Sequence, residues 1–237
     1  KILLDKGNKK ACELKAQDGN LPLHTAIETP ETNKETVILI AETWPDACKV
    51  KDKDGNLPLH SAVEAREFSI DVINHIADLY PDGCKVKDRD GNLPLHSAIE
   101  RGDKMPVSVV EKLFTMYPEG ATVQDKDWNS PLHSAVETLH ANKLAVVKIL
   151  LRAGSKACEI SDKDGNLCIH SVCECRSLDS AAIMAIAECY PEGLMKKDRD
   201  GQVPLVSLLA GDSNQVIDAN IVKDFLKLAP DSTKALS

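Results

Sequence analysis

Five histidines, His24, His60, His96, His133 and His170, and eight cysteines supply the residue types that bind zinc or move protons. Their spacing decides whether they can do so. Each histidine stands at the same place in one recurring motif. The nine residues Asp54-Gly-Asn-Leu-Pro-Leu-His-Ser-Ala62 return unchanged at 90–98 and, with Thr for Ser, at 18–26. Looser copies begin at Asp127, Asp164 and Asp200, so the starts lie 36, 36, 37, 37 and 36 residues apart. A fixed period of this length marks a stack of units, each burying its apolar face against its neighbours. Equivalent residues in packed layers stand about 8–10 Å apart. Zinc–nitrogen bonds are about 2.0–2.1 Å, so successive histidines cannot share an ion. Each imidazole is therefore expected to bond backbone across the interface between repeats, as buried polar groups must. Val206 takes the position in the sixth copy.

Cys12, Cys48, Cys84 and Cys158 also share one repeat position, filled elsewhere by Ala121 and Leu194. Interchange with Ala and Leu marks a small apolar site between layers. Cys168-Ile-His170-Ser-Val-Cys173-Glu-Cys175 forms a denser group. Cys168 stands where other units have Pro and Cys173 where they have Ile or Val, so the group is read as packing rather than a four-ligand zinc site. Asp52-Lys-Asp54-Gly55 has a calcium-loop flavour, but its glycine comes fourth rather than sixth and Val63 sits at the twelfth place. No phosphate loop or nucleophile elbow is present. A catalytic site needs unlike groups converging, whereas translation along an array disperses like ones. The chain is expected to be no enzyme, with no catalytic residue, metal or cofactor. Eight cysteines without a small-scaffold disulfide pattern fit a reducing, intracellular compartment, the cytoplasm first.

The elements that position these residues follow from one unit. Pro58 stands at the tolerated first helical place and opens a helix through about Arg66. A polar loop leads to a second helix over about Ile70–Tyr80, where Val72, Ile73, Ile76, Leu79 and Tyr80 make one apolar face. Pro81 stops it. Segments such as Lys-Val-Lys-Asp-Arg-Asp-Gly at 85–91 suit a tight turn, or finger, between units. The apolar share of 43% with only 3% aromatics implies thin layers of Leu, Ile, Val and Ala. A net charge of −8 argues against nucleic acid or an anionic membrane as partner. No apolar run reaches the roughly 20 residues of a membrane span.

Helix, loop, helix and finger around Pro-Leu-His-x-Ala resemble the ankyrin repeat, with its Thr-Pro-Leu-His-x-Ala signature and period of about 33 residues. Six copies in register carry the resemblance over the whole chain. It implies an all-α ankyrin-like solenoid of about six helix-loop-helix repeats, a single array over 1–237 with 1–17 closing a preceding repeat. Residues 1–7 match 148–154, and 229–235 match 80–86, so the sequence is expected to be part of a longer protein. Two departures stand out. The extra residues of the longer period align between the two helices. Leu or Val, and Ser130 in the fourth unit, replaces the capping Thr, so Asp54 or Asn56 is expected to cap that helix.

The resemblance also implies a partner-binding face made of first helices and finger tips. On it would lie the row Glu28, Glu64, Glu100, Glu137 and Glu174, with Arg101 beside it, and the finger residues Lys53, Arg89 and Lys126. Asp18, Asp54, Asp90, Asp127, Asp164 and Asp200 flank them. The finger Asp and Asn rows can be explained by turns alone; the Glu row has no evident structural duty and is the leading interaction feature. Trp128 replaces the turn glycine of the other five motifs, either exposed for contact or lying over the gap left by Ser130. Trp44 takes the helix-ending place of Tyr80, Tyr117 and Tyr190, a packing role. The expected function is a non-catalytic scaffold that binds a protein partner with a basic face. The alternative is a structural subunit held permanently in a larger assembly, which would show large apolar patches outside the repeat core.

Overall fold

The computed structural model describes residues 6–17, 19–138, 141–175, 180–210 and 219–229. Asp18 and most of both terminal segments carrying the repeat-edge matches lie outside them. The described residues hold thirteen α-helices. The only β pairing described is an isolated bridge, Ser161 with Leu167. Contacts group the chain into two compact units, residues 1–101 with 108–120, and residues 102–107 with 121–237.

The first unit contains α1 (Lys6–Cys12), α2 (Pro22–Glu28), α3 (Lys34–Thr43), α4 (Pro58–Glu64), α5 (Ile70–Leu79), α6 (Pro94–Glu100) and nearly all of α7 (Val107–Met116). First helices pack on first helices, α2 on α4 and α4 on α6, while α1 packs on α3 and α3 on α5. The second unit contains α8 (Pro131–Glu137), α9 (Lys143–Leu151), α10 (Cys168–Glu174), α11 (Ser180–Cys189), α12 (Pro204–Ala210) and α13 (Ala219–Leu228). There α8, α10 and α12 form one succession and α9, α11 and α13 the other. Within each unit this is the all-α layering of an ankyrin-type solenoid.

The expected second helix is present as Ile70–Leu79, with Tyr80 as its C-cap. It buries Val72, Ile73, Ile76 and Ala77; a fully buried side chain of the Val or Ile kind contributes about 1.5–3 kcal/mol. A 3-10 turn over Pro81–Lys85 follows. The first helix is shorter than expected, ending at Glu64 rather than Arg66, because Ala65 leaves helical geometry at ψ 139°. The extra residues fall between the helices, as at 65–69 and 101–106.

Capping differs from expectation. Neither Asp54 nor Asn56 caps α4. The free N–H of the N-cap residue Leu57 donates instead to His60 Nδ1, 3.2 Å away, one turn into the helix. Leu21 with His24, Leu93 with His96, Ser130 with His133 and Leu167 with His170 repeat this at 3.1–3.3 Å. The histidine thus plays the N3 half of a capping box, accepting the N–H of the N-cap residue, an orphan donor of the helix start.

Candidate functional site

The finger is built by a carboxylate two residues before each motif except the first, where Ala16 stands. Asp52 Oδ1 accepts the N–H groups of Asp54 and Asn56, both at 2.8 Å. Asp88 and Asp162 do the same for their own fingers; Asp125 and Asp198 take the N–H of Asn129 and Gln202. The chain then turns back, with Asp52 N–H donating to the Asn56 carbonyl at 2.9 Å. That reversal needs a left-handed residue, supplied by Gly55 at φ 83° and its counterparts Gly19, Gly91, Gly165 and Gly201 at 78–85°.

The histidines are consumed by this architecture. Because Nδ1 accepts a backbone N–H, the ring proton sits on Nε2, which reaches into the next repeat. His24 Nε2 meets the Asn56 carbonyl at 3.3 Å, His133 that of Asn166 at 3.1 Å and His170 that of Lys196 at 3.1 Å. His60 Nε2 faces the Asn92 and Val86 carbonyls without full hydrogen-bond geometry. Burial lowers the affinity of His60 and His133 for a second proton. Cys48, Cys84 and Cys158 are buried in the expected layer site and Cys12 is half-buried.

The Glu row has a structural duty, contrary to expectation. Glu28 Oε1 accepts from Ser61 Oγ of the following repeat at 3.1 Å, and Glu64 Oε1 from Ser97 Oγ at 2.8 Å. Glu137 is bonded in the same way to Ser171. Each carboxylate therefore latches the end of one first helix to the middle of the next. Burial raises Glu64 above the usual carboxylate range while the Ser97 bond opposes it. Glu137 is raised by burial and then by the charge of Asp162.

Between consecutive first helices lie shallow clefts. In the first unit Glu28, Asn56, Ser61, Glu64, Ala65 and Arg66 line one of about 240 Å³. In the second unit a cleft of about 330 Å³ is lined by Glu137, Asp162, Asp164, Asn166, Ser171, Glu174 and Cys175. The cleft of the second unit has four carboxylates and no cation on its walls. Glu100 is exposed at the end of α6.

Several expected basic contacts also have structural duties. Arg89 donates to the Lys53 carbonyl of the preceding finger and pairs with Asp54 at 3.5 Å. Lys163 with Asp127, at 3.4 Å, and Arg199 with Asp164, at 3.9 Å, repeat that pairing. Such exposed pairs contribute about 0–1 kcal/mol each. Arg101 Nη1 donates to the Glu64 carbonyl at 2.8 Å, and its guanidinium lies 5.4 Å from the Phe68 ring centre. Lys53 and Lys126 are exposed. Lys143, which the sequence did not single out, is 1% exposed and donates to the Val136 carbonyl at 2.6 Å. Cys175 Sγ reaches the same carbonyl at 3.0 Å, so two side chains satisfy one carbonyl near the end of α8.

Trp128 is the residue that departs most from this pattern. Its φ is 68°, the one left-handed non-glycine among the described residues, and it is 55% exposed. Gln124 Nε2 pins its carbonyl at 2.5 Å and reaches the Ser161 carbonyl of the next finger at 2.9 Å. Ser130 is fully buried, with Oγ 2.8 Å from His133 Nδ1.

Comparison with known proteins agrees with this layout. The family model of the ankyrin repeat matches residues 127–165. The fold is similar to the ankyrin repeat domain of Bcl-3, described as a unique member of the IkappaB protein family, with a TM-score of 0.63, 22% identity, and coverage of 90% of this chain and 86% of that one. It is also similar to a chain from the complex of a predatory endopeptidase of Bdellovibrio bacteriovorus with an immunity protein, with a TM-score of 0.62, 16% identity, and coverage of 94% and 98%. No curated protein matches the chain by sequence.

Proposed function

From an array of ankyrin repeats we infer a non-catalytic scaffold that binds a protein partner through its first helices and finger tips. The observation that carries this reading is Trp128, an indole 55% exposed on a finger held in left-handed geometry. The groups with chemical potential support it from the other side. The histidines hold helix starts and neighbouring fingers, three cysteines of the layer row are buried, and Glu28, Glu64 and Glu137 hold serines. The solved structures with this fold include one described as a complex with an immunity protein.

The partner presents a basic segment. Trp128 anchors it, and the carboxylates of the cleft in the second unit, Glu137, Asp162, Asp164 and Glu174, receive its cations. Exposed Trp is enriched among residues that dominate binding, while charges steer encounter and register. Glu100, Glu174, Lys53 and Lys126 remain contact residues in this reading; Glu28, Glu64, Glu137, Arg89 and Arg101 would act there in addition to the structural bonds they make. Among the described residues, the large apolar side chains that are exposed, Leu14, Leu39, Ile70, Trp128, Met195 and Leu209, belong to different repeats. That dispersal favours a partner that comes and goes over permanent burial. No described helix is long and apolar enough to cross a membrane.

The test is parallel capture with the intact array and with Trp128→Gly and Glu174→Lys. A protein retained by the parent and lost by both variants, each still folded by circular dichroism, is the expected result. Identical partner sets from parent and variants would refute the assignment of this surface.

A further inference from the structure

One serine of the second unit is left without its glutamate. Ser207, on α12, holds the place of Ser61 and Ser97, each of which donates to the glutamate ending the preceding first helix. It is 3% exposed, and its Oγ has no hydrogen-bond partner. The glutamate that would serve it is Glu174. That residue stands exposed at the end of α10 instead, lining the cleft of the second unit with Glu137, Asp162 and Asp164. The finger of Trp128 is tied to the finger beside this cleft. Gln124 Nε2 bridges the Trp128 and Ser161 carbonyls at 2.5 and 2.9 Å, and Lys163 meets Asp127 at 3.4 Å. A half-exposed indole therefore stands one finger away from a carboxylate that the serine of the next repeat does not hold. The cations at this rim are already engaged, Lys163 with Asp127 and Arg199 with Asp164. Among the described residues no three His, Cys, Asp or Glu side chains are placed to hold a metal ion, so the cleft suits an organic cation that brings several donors.

Resting on the reading of this surface as the partner-binding face, we propose that the partner's anchor is a pair of arginines, spaced Arg-x-x-Arg. The first lays its guanidinium on the Trp128 indole, and the second takes the Glu174 carboxylate in the cleft. A guanidinium is planar and weakly hydrated, so it stacks on an indole better than an ammonium does. It also meets a carboxylate through two parallel N–H groups, which a lysine cannot do. Spacing fixes the rest. Packed layers lie about 8–10 Å apart, and an extended polyproline-type segment advances about 9 Å in three residues while returning to the same face. One arginine on the indole thus brings the next to the cleft. Ser207 keeps no claim on Glu174, so the carboxylate engages the partner without breaking a bond inside the array.

The test uses the full chain carrying Trp44→Tyr, which installs the residue found at 80, 117 and 190 and leaves Trp128 as the one tryptophan. The probes are acetyl-Arg-Ala-Ala-Arg-amide and its lysine counterpart, titrated at low salt. The arginine peptide should quench Trp128 emission, and the lysine peptide should bind about 3-fold or more weakly. By calorimetry, Trp128→Gly and Glu174→Gln should each weaken the arginine peptide by about 3-fold or more. Glu192→Gln, which removes the same charge from an exposed position in the corner after α11, should leave its affinity unchanged. Ser207→Ala should melt no lower than the parent, unlike Ser97→Ala. The proposal is overturned by equal affinity for the two peptides, by unquenched emission, by an equal loss in Glu192→Gln, or by Ser207→Ala melting as low as Ser97→Ala. Partner capture that depends on Trp128, combined with equal peptide affinities, would reject the arginine pair and keep the surface. Arginine-selective binding with capture unchanged in every variant would reject the partner-binding reading itself.

Discussion

Trp128→Gly and Trp128→Ala, compared with each other, isolate what the finger demands of its backbone. Both remove the indole; they differ in how well they tolerate a φ of 68°. An L-residue in the left-handed region costs about 1–2 kcal/mol. Glycine avoids that cost, but the freedom of its unfolded chain takes back about 0.4–1 kcal/mol. Trp128→Gly should therefore be the more stable of the two by about 0.5–1 kcal/mol, reversing the order expected in an ordinary strand or helix. Relative to the parent, both lose what the side chain buries. With 55% of it exposed, that is on the order of 100 Å² and at most about 2.5 kcal/mol. The glycine variant should fall about 1–1.5 kcal/mol below the parent and the alanine variant about 2 kcal/mol. Urea unfolding followed by far-ultraviolet circular dichroism reads both, with midpoints displaced and slopes unchanged. Affinity for the partner should drop by about 30-fold in both, as loss of a hot spot worth about 2 kcal/mol requires. An alanine variant equal to or more stable than the glycine variant refutes the backbone reasoning; unchanged affinity in both removes Trp128 from the interface.

Four further outcomes are expected. Gly165→Ala should destabilise the chain about 1 kcal/mol more than Gly154→Ala, since both have left-handed φ but only at 165 does the new Cβ meet a backbone nitrogen, Arg199 N at 3.1 Å, whose N–H donates to the Asp164 carbonyl at 3.2 Å; equal midpoints would discount the finger contact. Stability should fall as pH drops from 7.5 towards 5.5, because His60 and His133 bind protons less readily folded than unfolded, and it should fall again above about pH 9 as Cys48, Cys84 and Cys189, raised to about 11, ionise first in the unfolded chain; a flat profile from pH 5.5 to 10 would contradict both. Ser97→Ala should cost about 1–2 kcal/mol by removing the donor that holds Glu64, and a midpoint within error of the parent would show that latch to be idle. Denatured, non-reduced and unoxidised protein should react at eight cysteines, a chelator leaving its melting temperature unmoved; a chelator-induced drop would reveal a metal.

The period carries the fold in plain view, because a residue repeated at one place must serve one purpose that every layer shares. Pro at the first helical position, the apolar face of the second helix and the turn glycine each follow from local backbone and burial rules. What the period hides is any bond whose two ends lie in different copies. Ser61 and Glu28 are 33 residues apart, and the serine slot also accepts Thr25, so nothing in one copy announces the latch. The cap failed for a related reason: Asp54 and Asn56 are the familiar capping types near the helix start, but the N-cap position itself falls on Leu57, whose N–H goes to His60 one turn into the helix. The same logic tells function from structure. A residue that obeys the period is accounted for by the neighbouring layer, as the histidines and most of the glutamates prove to be. Residues that break it have no such account and have to find partners of their own. Trp128 in place of glycine and Cys168 in place of proline both fall between 121 and 237, the unit that also buries Lys143. There the chain stops being a uniform array and exposes an indole.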